Sequence, residues 1–359
     1  MKKTILFLSF ALLTLGACSS DDDTAVEIPS VGATIPASVG GGNQPNQLYL
    51  DLSTGESKSV NRASWDFGFS GGADFRVVIN GSLKMAVKKL ATSDITLVQE
   101  SDANVTVGAG TTAASNGFVD NPTGVLAGAG LGIGTAIAEI SATDADNKVY
   151  LVNLGNAVST SKPTVGSVIV DGEARGWKKV RILRSGNGYK IQYADLASTT
   201  FTEKTVSKDA DFNFTFFSLT TGNTVSVEPQ KAKWDLNFTT FTNYLNTGTE
   251  VTYGYSDFIV TNMKGGTQAY QVLTTEKTYE AFTKADVAVA NFTASATDQR
   301  IIGANWRNGG GPTTLPSIRT DRFYIIKDAA GNYYKVKFLT MVNAAGERGN
   351  VTLEYAILN

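Results

Sequence analysis

The stretch that decides the fold occurs twice in this chain, as SWDFGF at residues 64–69 and as KWDLNF at residues 233–238. In both copies large apolar residues alternate with polar or small ones, which is typical of a β-strand with one buried face. We therefore predict that the tryptophan and the next two apolar residues of each copy share a face. These residues are Trp65, Phe67 and Phe69 in the first copy and Trp234, Leu236 and Phe238 in the second.

The Trp-Asp pair at the start of each strand allows two interpretations. We expect Trp65 and Trp234 to pack in the core, with ligand contact as the alternative. We expect Asp66 and Asp235 to lie on the polar face and to fix a neighbouring loop through backbone hydrogen bonds. A catalytic role for the two carboxylates is the alternative.

The repeat extends well beyond this motif. LDLSTGES at residues 50–57 is echoed by FSLTTGNT at residues 217–224, and two later pairs of extended segments match in the same order. These pairs are NKVYLV (147–152) with DRFYII (321–326), and GWKKVRI (176–182) with NYYKVKF (332–338). The two tryptophans are 169 positions apart, so the period is that of a domain rather than of a solenoid repeat.

The turn and strand signals predict an all-β fold of two tandem, mostly antiparallel domains. We place the domains at residues 47–204 and 205–359, with a three-stranded meander at the C-terminus. Only residues 278–290 look partly helical. The alternative arrangement is a single merged sheet in which strands are exchanged between the copies.

The N-terminus predicts a lipoprotein. Lys2 and Lys3 precede a short apolar stretch at residues 5–15, and LGAC at residues 15–18 resembles a bacterial lipobox. We expect a signal peptide at residues 1–17 and an acylated Cys18, with an ordinary secretory signal as the alternative. Residues 18–46 are rich in Gly, Pro, Ser and Ala and are expected to form a flexible tether. SDDD at residues 20–23 resembles a surface-export signal, which predicts an outer-membrane, lipid-anchored and cell-surface protein.

Composition excludes several classes of function. The chain has 0 His and 1 Cys, so it has neither a Ser-His-Asp triad nor a Cys-His pair nor an imidazole metal site. We find no nucleotide-binding fingerprint, and the carboxylates show no marked catalytic pair. The net charge is −2 and no basic stripe alternates with aromatic residues, so nucleic acid is not an expected partner. The sequence therefore favours a binding protein over an enzyme.

Several motifs together resemble the HmuY family of haem-binding lipoproteins. They are KWDLNF (233–238), TNMKGG (261–266), IGANWR (302–307), the run from DRFY (321–324) to NYYKVKF (332–338), and GERG (346–349). The resemblance is clearest over residues 211–359 and reaches the first half through the internal repeat, where the second motif is reduced to ING (79–81). It implies a surface lipoprotein of all-β fold that captures haem for iron acquisition and passes it to an outer-membrane transporter.

The resemblance also directs attention to particular ligand residues. The best-known members hold iron with two histidines, and some relatives are thought to use methionine, whose thioether is an established haem ligand. The candidate haem ligands are therefore Met263, Met341 and Met85, with Met263 favoured by its loop position beside two glycines. Tyr253 and Tyr255 are further candidates for ligand contact. The competing function is a surface adhesion or glycan-binding protein that has lost haem binding.

Overall fold

A computed structural model describes residues 33–108, 118–130, 132–246, 250–310 and 314–359, and the predicted all-β class is confirmed there. In chain order the strands are β1 (Ala33–Ser38), β2 (Asn46–Leu50), β3 (Ser57–Asn61), β4 (Phe67–Ser70), β5 (Val77–Ile79), β6 (Ala86–Lys89), β7 (Tyr150–Asn153), β8 (Asn156–Val158), β9 (Asp171–Ala174), β10 (Trp177–Ser185), β11 (Gly188–Asp195), β12 (Thr202–Val206), β13 (Phe214–Ser218), β14 (Asn223–Val225), β15 (Leu236–Asn246), β16 (Glu250–Thr261), β17 (Gln268–Leu273), β18 (Arg307–Asn308), β19 (Ser317–Ile318), β20 (Arg322–Lys327), β21 (Tyr333–Val342) and β22 (Arg348–Ile357). Short 3₁₀ turns lie at Arg62–Ser64, Gly81–Leu83, Ile95–Leu97, Asp144–Asp146, Met263–Gly265, Lys284–Asp286, Val289–Phe292 and Ala294–Ala296.

The strands form two equivalent bodies, each built from a five-stranded and a four-stranded antiparallel sheet. Body I combines the sheets β12-β11-β10-β7-β6 and β14-β13-β4-β5. Body II combines the sheets β1-β22-β21-β20-β17 and β3-β2-β15-β16. Strand for strand the two sheet orders correspond, so the sequence repeat is a repeat of structure. Each body has its own apolar core between its two sheets.

The bodies do not follow the two sequence copies. The opening strands stand at the start of the chain, yet β1 pairs with β22 and β2 pairs with β15 of the second copy, while β3 pairs with β2. In the same way β13 pairs with β4 of the first copy. Leu50 and Leu52 therefore lie in the core of body II, and Phe217 and Leu219 lie in the core of body I. Body I is continuous from β4 to β14, whereas body II needs segments from both ends of the chain.

This pairing crosses the predicted domain limits. The expected boundary at residue 205 falls inside β12, and the expected first domain, residues 47–204, contains two strands of body II. Short-range sequence patterns reveal that strands exist and that they recur, but they do not reveal which copy a strand pairs with. The exchange of strands in the alternative above is observed, but its single merged sheet is not, because the strands form separate sheets in two bodies.

The tether prediction is wrong for residues 33–46. Residues Ala33–Ser38 form β1, which pairs with β22 in the register Ala37↔Val351. Ala37 is fully buried. Gln44 is also fully buried, where its Nε2 donates to Asp257 Oδ1 at 2.6 Å and its Oε1 accepts from the Asp257 backbone N–H at 3.0 Å. A segment poor in large apolar residues is held here by backbone and amide hydrogen bonds to a distant part of the chain.

The Trp-Asp motif fixes equivalent loops in the two bodies. Asp66 Oδ2 accepts the backbone N–H of Leu219 at 2.6 Å, and Asp235 Oδ2 accepts that of Leu52 at 2.9 Å. The predicted loop-fixing role is therefore observed, but both aspartates are buried instead of lying on a polar face. Asp66 is compensated by an ion pair with Arg175 at 2.7 Å. Among the ion pairs of the described residues Asp235 has none, and burial raises its pKa to about 7.

Two smaller predictions have different outcomes. The C-terminal meander is present as β20, β21 and β22, with tight turns between the strands. Residues 278–290 contain only 3₁₀ turns, which continue to residue 296 and cover the outer face of the five-stranded sheet of body II. Cys18, residues 1–17, the acidic run at residues 20–23 and the tether up to residue 32 lie outside the described residues.

Candidate functional site

A cleft lies between the two bodies. It encloses about 1060 Å³, including its open mouth, and it is lined by both four-stranded sheets. Its wall is mainly apolar, with aromatic side chains from both bodies. The aromatic lining residues are Tyr49, Trp65, Phe214, Phe216, Trp234 and Phe241, and the large aliphatic ones are Val78, Ile79, Val119, Val125, Leu126 and Val260.

An aromatic cluster holds the two bodies together at one side of this cleft. Trp234 packs on Tyr49 with ring centroids 5.0 Å apart at 81°, and Trp65 packs on Phe216 at 4.8 Å and 74°. The two pairs are equivalent in the repeat, because Tyr49 and Phe216 stand one residue before the matching Leu50 and Phe217. Such edge-to-face pairs are favourable because the positive edge of one ring meets the negative face of the other.

The tryptophans therefore differ from the prediction that they share a face with the following apolar residues. Phe67 and Leu236 lie in the cores of bodies I and II, whereas Trp65 and Trp234 belong to the cluster between the bodies. Each tryptophan precedes its strand, at the point where the chain passes from one body to the other, so strict alternation does not apply. Both tryptophans are packed, as expected, and both also line the cleft, so ligand contact stays a prediction.

Two carboxyl groups in the cleft wall form no ion pair with any described residue. Glu228 Oε1 accepts the backbone N–H of Phe214 at 2.8 Å, and burial raises the pKa of Glu228 to about 7. The two oxygens of Asp120 accept the backbone N–H groups of Ile79 and Ala136, each at 2.8 Å. Burial also raises the pKa of Asp120 to about 7. Both groups are therefore partly protonated near neutral pH.

A loop of body I closes the cleft on one side. Residues 119–126 contribute most of this wall. Gln299 of body II holds the loop, since its backbone N–H donates to Thr123 O at 2.9 Å and its Nε2 donates to Pro122 O at 3.1 Å. Gly124 has a positive φ of 85° where it passes the Gln299 side chain. The closed wall thus depends on hydrogen bonds that connect the two bodies.

Of the three candidate methionines, two line the cleft. Met263 is half-buried in the turn after β16, where Asn262 caps the turn by accepting the Gly265 N–H at 2.9 Å. Met85 also belongs to the cleft lining but is fully buried at the edge of the body I core. Met341 lies in the core of body II and does not line the cleft. Met263 and Met85 therefore line the same cleft, and Met341 does not.

The two candidate tyrosines lie outside the cleft lining. Tyr253 and Tyr255 pack edge to face at 5.1 Å on β16, and the Tyr253 side chain is 49% exposed. Tyr255 continues inward to Phe258, whose ring stacks on Phe241 at 4.5 Å. Of these four rings, Phe241 alone lines the cleft.

Several lining residues were not recognised from the sequence. Glu228, Asp120 and Gln299 stand in irregular segments without a motif, and their burial results from the meeting of two bodies. Asn237 carried a signal, since it replaces the small Gly68 of the other copy within an otherwise matching motif. A polar residue at one copy of a repeated strand marks a place where the copies have different surroundings.

Within the described ranges, no group of three or more His, Cys, Asp or Glu side chains is placed to hold a metal ion. The same residues include no helix that is long and apolar enough to span a membrane.

Comparison with known proteins identifies a family for both halves of the chain. The family described as HmuY protein matches residues 43–214 and again residues 210–355. No curated protein matches the chain significantly.

Solved structures of HmuY-like proteins are also similar, at low identity. The apo HmuY analog of Tannerella forsythia is 16% identical, covering 47% of this chain and 88% of its own, with a TM-score of 0.24. An HmuY-like heme binding protein from Bacteroides vulgatus is 12% identical, covering 93% and 95%, with a TM-score of 0.23. Apo PinO from Porphyromonas gingivitis is 9% identical, covering 91% and 97%, with a TM-score of 0.26. The family assignment rests on the two sequence matches.

Proposed function

Because the chain belongs to the HmuY family, we propose that it binds haem or a related tetrapyrrole in the cleft between its two bodies. The observation that carries this proposal is the combination of a large, mainly apolar cleft with Met263 and Met85 in its wall. Ligand sites in proteins are typically concave and apolar, with a few polar groups that fix orientation.

The lining residues fit such a ligand. Aromatic side chains of both bodies offer flat apolar surfaces for a macrocycle, and the Met263 thioether would supply an axial ligand to iron. Lys264 is exposed beside it, with its Nζ 5.5 Å from the Phe214 ring centroid, and would pair with a propionate. Haem would be cargo in this site, with its iron held by the protein's own sulfur. Thioether sulfur is a soft ligand and favours ferrous over ferric iron.

The test is a titration of the purified mature protein with haemin, with and without dithionite. We expect a saturable Soret change, with α and β bands of a low-spin complex after reduction. Conservative Met→Leu variants retain packing and remove sulfur, so Met263→Leu should abolish the low-spin bands. Met341→Leu is the matched control and should leave them unchanged.

Two results decide against the proposal. No saturable change in either redox state would eliminate tetrapyrrole binding and favour the adhesion or glycan-binding alternative. Low-spin bands that survive Met263→Leu and Met85→Leu but vanish in Met341→Leu would move the site out of the cleft.

We further propose that the protein acts at the cell surface, anchored to the outer membrane by lipid on Cys18, and passes its ligand to an outer-membrane transporter. The lipobox-like LGAC and the acidic run after it support the anchor. Labelled palmitate should enter the wild type and not Cys18→Ala. Label retained in the Ala variant would show that the anchor assignment is wrong, and protease treatment of intact cells tests surface exposure separately.

A further inference from the structure

The two halves of the cleft differ in how their tryptophans are hydrogen-bonded. Trp65 Nε1 donates to Gln47 Oε1 at 2.9 Å. In the other copy the position equivalent to Gln47 is held by Phe214, which has no acceptor. Trp234 Nε1 is buried and has no hydrogen-bond partner among the described residues. The repeat thus leaves one indole donor unsatisfied.

An unsatisfied acceptor lies in the same half of the cleft. Asn237 occupies the position of Gly68, and its Oδ1 is buried without a hydrogen-bond partner in the described part of the chain. Asn237 is the cross-strand neighbour of Tyr49, whose ring packs on Trp234. Trp234 and Asn237 are 7% and 6% exposed, and both residues line the cleft.

The unsatisfied donor and acceptor carry a cost in free energy. A buried donor or acceptor without a partner costs about 1–3 kcal/mol, and such groups are rare in native proteins. A ligand that supplies both partners would recover this free energy on binding. Both atoms are shielded from solvent in this conformation, so the Trp234 indole and the Asn237 amide must turn toward the ligand on binding; the amide torsion has a broad energy minimum.

We propose that this end of the cleft binds an uncharged ligand group that accepts one hydrogen bond and donates another, and that the group is a lactam or amide. The Trp234 N–H would donate to its carbonyl, and Asn237 Oδ1 would accept its N–H. A carboxylate fits less well, because it offers no donor to Asn237 Oδ1 and could pair only with the amide turned over to present Nδ2. It would also approach Glu228, which is close enough to Tyr49 to contribute to the raised pKa of that phenol.

This step rests on the proposed function, which places a tetrapyrrole in the cleft. The donor and the acceptor at this end of the cleft then favour one kind of tetrapyrrole over another. The closed macrocycle of haem presents alkyl groups and carboxylates at its edge. A linear tetrapyrrole ends in lactam rings, each with one N–H and one C=O. The inferred ligand class is therefore a ring-opened tetrapyrrole, with one lactam at Trp234 and Asn237 and its carboxylates toward Lys264 at the mouth.

The experiment compares biliverdin, haemin and protoporphyrin IX by absorbance titration against four proteins. They are the wild type, Trp234→Phe, Asn237→Ala and the matched control Trp177→Phe, which makes the same change at an indole outside the cleft lining. Each lost hydrogen bond is worth about 0.5–1.5 kcal/mol, so biliverdin affinity should fall about 3- to 10-fold in the first two variants. It should stay unchanged in Trp177→Phe, and haemin affinity should fall less than biliverdin affinity in both cleft variants. Circular dichroism and urea midpoints identify any variant that fails to fold. Asn237→Ala tests the acceptor independently of the indole, so the inference can still be tested if Trp234→Phe does not fold.

Three outcomes overturn the inference. Equal loss of all three pigments in Trp234→Phe would mean that the indole acts by packing. Unchanged biliverdin affinity in both variants would mean that Trp234 and Asn237 do not recognise the lactam. If haemin still bound in that case, the proposed function would stand without the further inference. Absence of saturable binding for all three pigments would overturn the inference and the proposed function together.

Discussion

The exchange of opening strands predicts that a mutation in one sequence copy weakens the body formed by the other. Leu50 belongs to the first copy, yet it is fully buried in the core of body II. It lies in β2, which is bonded on both sides, to β3 through Ser57 and to β15 through Leu236. A backbone held on both sides relaxes little around a cavity. Leu50→Ala should therefore lower the free energy of unfolding by about 3–5 kcal/mol, the upper part of the range for such truncations.

Phe217 is the matched residue of the second copy. It is 1% exposed in the core of body I, where its ring lies 5.8 Å from that of Tyr193. Phe217→Ala should also cost about 3–5 kcal/mol. Urea unfolding measures both losses of free energy, and hydrogen exchange shows which strands each mutation weakens. Leu50→Ala should lower protection in β21 and β22, and Phe217→Ala should lower it in β10 and β11.

The reverse pattern would refute the exchanged arrangement, because each mutation would then act within its own sequence copy. Equal loss of protection in both five-stranded sheets for both variants would refute separate cores, since the two bodies would then open as one unit.

Two further predictions follow from the same architecture. A fragment of residues 62–228 contains every strand of body I and should unfold cooperatively in urea, whereas residues 205–359 lack β1, β2 and β3 and should not, unless residues 33–61 are added back. The second prediction concerns three buried carboxyl groups whose pKa values are raised to about 7. Between pH 4.5 and 7 these groups keep protons in the folded state that they have lost in the unfolded state. Stability should therefore fall as pH rises through this window, by up to about 1.4 kcal/mol per pH unit for each group, and urea midpoints at pH 5.5 and 7.5 measure it. The carboxamide variants Asp120→Asn, Glu228→Gln and Asp235→Asn should each reduce the slope of stability against pH. Stability that does not change with pH in the wild type would contradict the assigned burial of these groups.

The repeated motifs were sufficient to predict the fold class, the duplication and the C-terminal meander. These features depend on local alternation and on turns, which a sequence displays directly. The pairing of β1 with β22 was not predictable in this way, because its hydrogen bonds join residues more than 300 positions apart. Residues 33–46 looked like a tether since their composition is poor in large apolar groups, and composition does not record backbone pairing.

The site was predictable only in part, for a related reason. A thioether in a loop is visible in sequence, and Met263 does line the cleft. Asp120 and Gln299 acquire their importance from contacts between the bodies, at segments that no local pattern marks. The surroundings of Trp65 and Trp234 were misjudged because strand alternation was extended one step past the end of the strand.

The same exchange that hides the domains in the sequence gives the cleft a fixed geometry. The chain passes from body II to body I between β3 and β4, and back again between β14 and β15, so two covalent crossings stand beside the aromatic cluster. Arg62 fixes the first crossing, since its Nε donates to Gln44 O at 2.8 Å and its Nη1 donates to Ser82 O at 2.7 Å. Thr240 of body II donates to the same Ser82 carbonyl at 2.7 Å. Separating the two walls would break these bonds together. We therefore expect a largely preformed site in which the loop held by Gln299, more than the bodies themselves, admits the ligand.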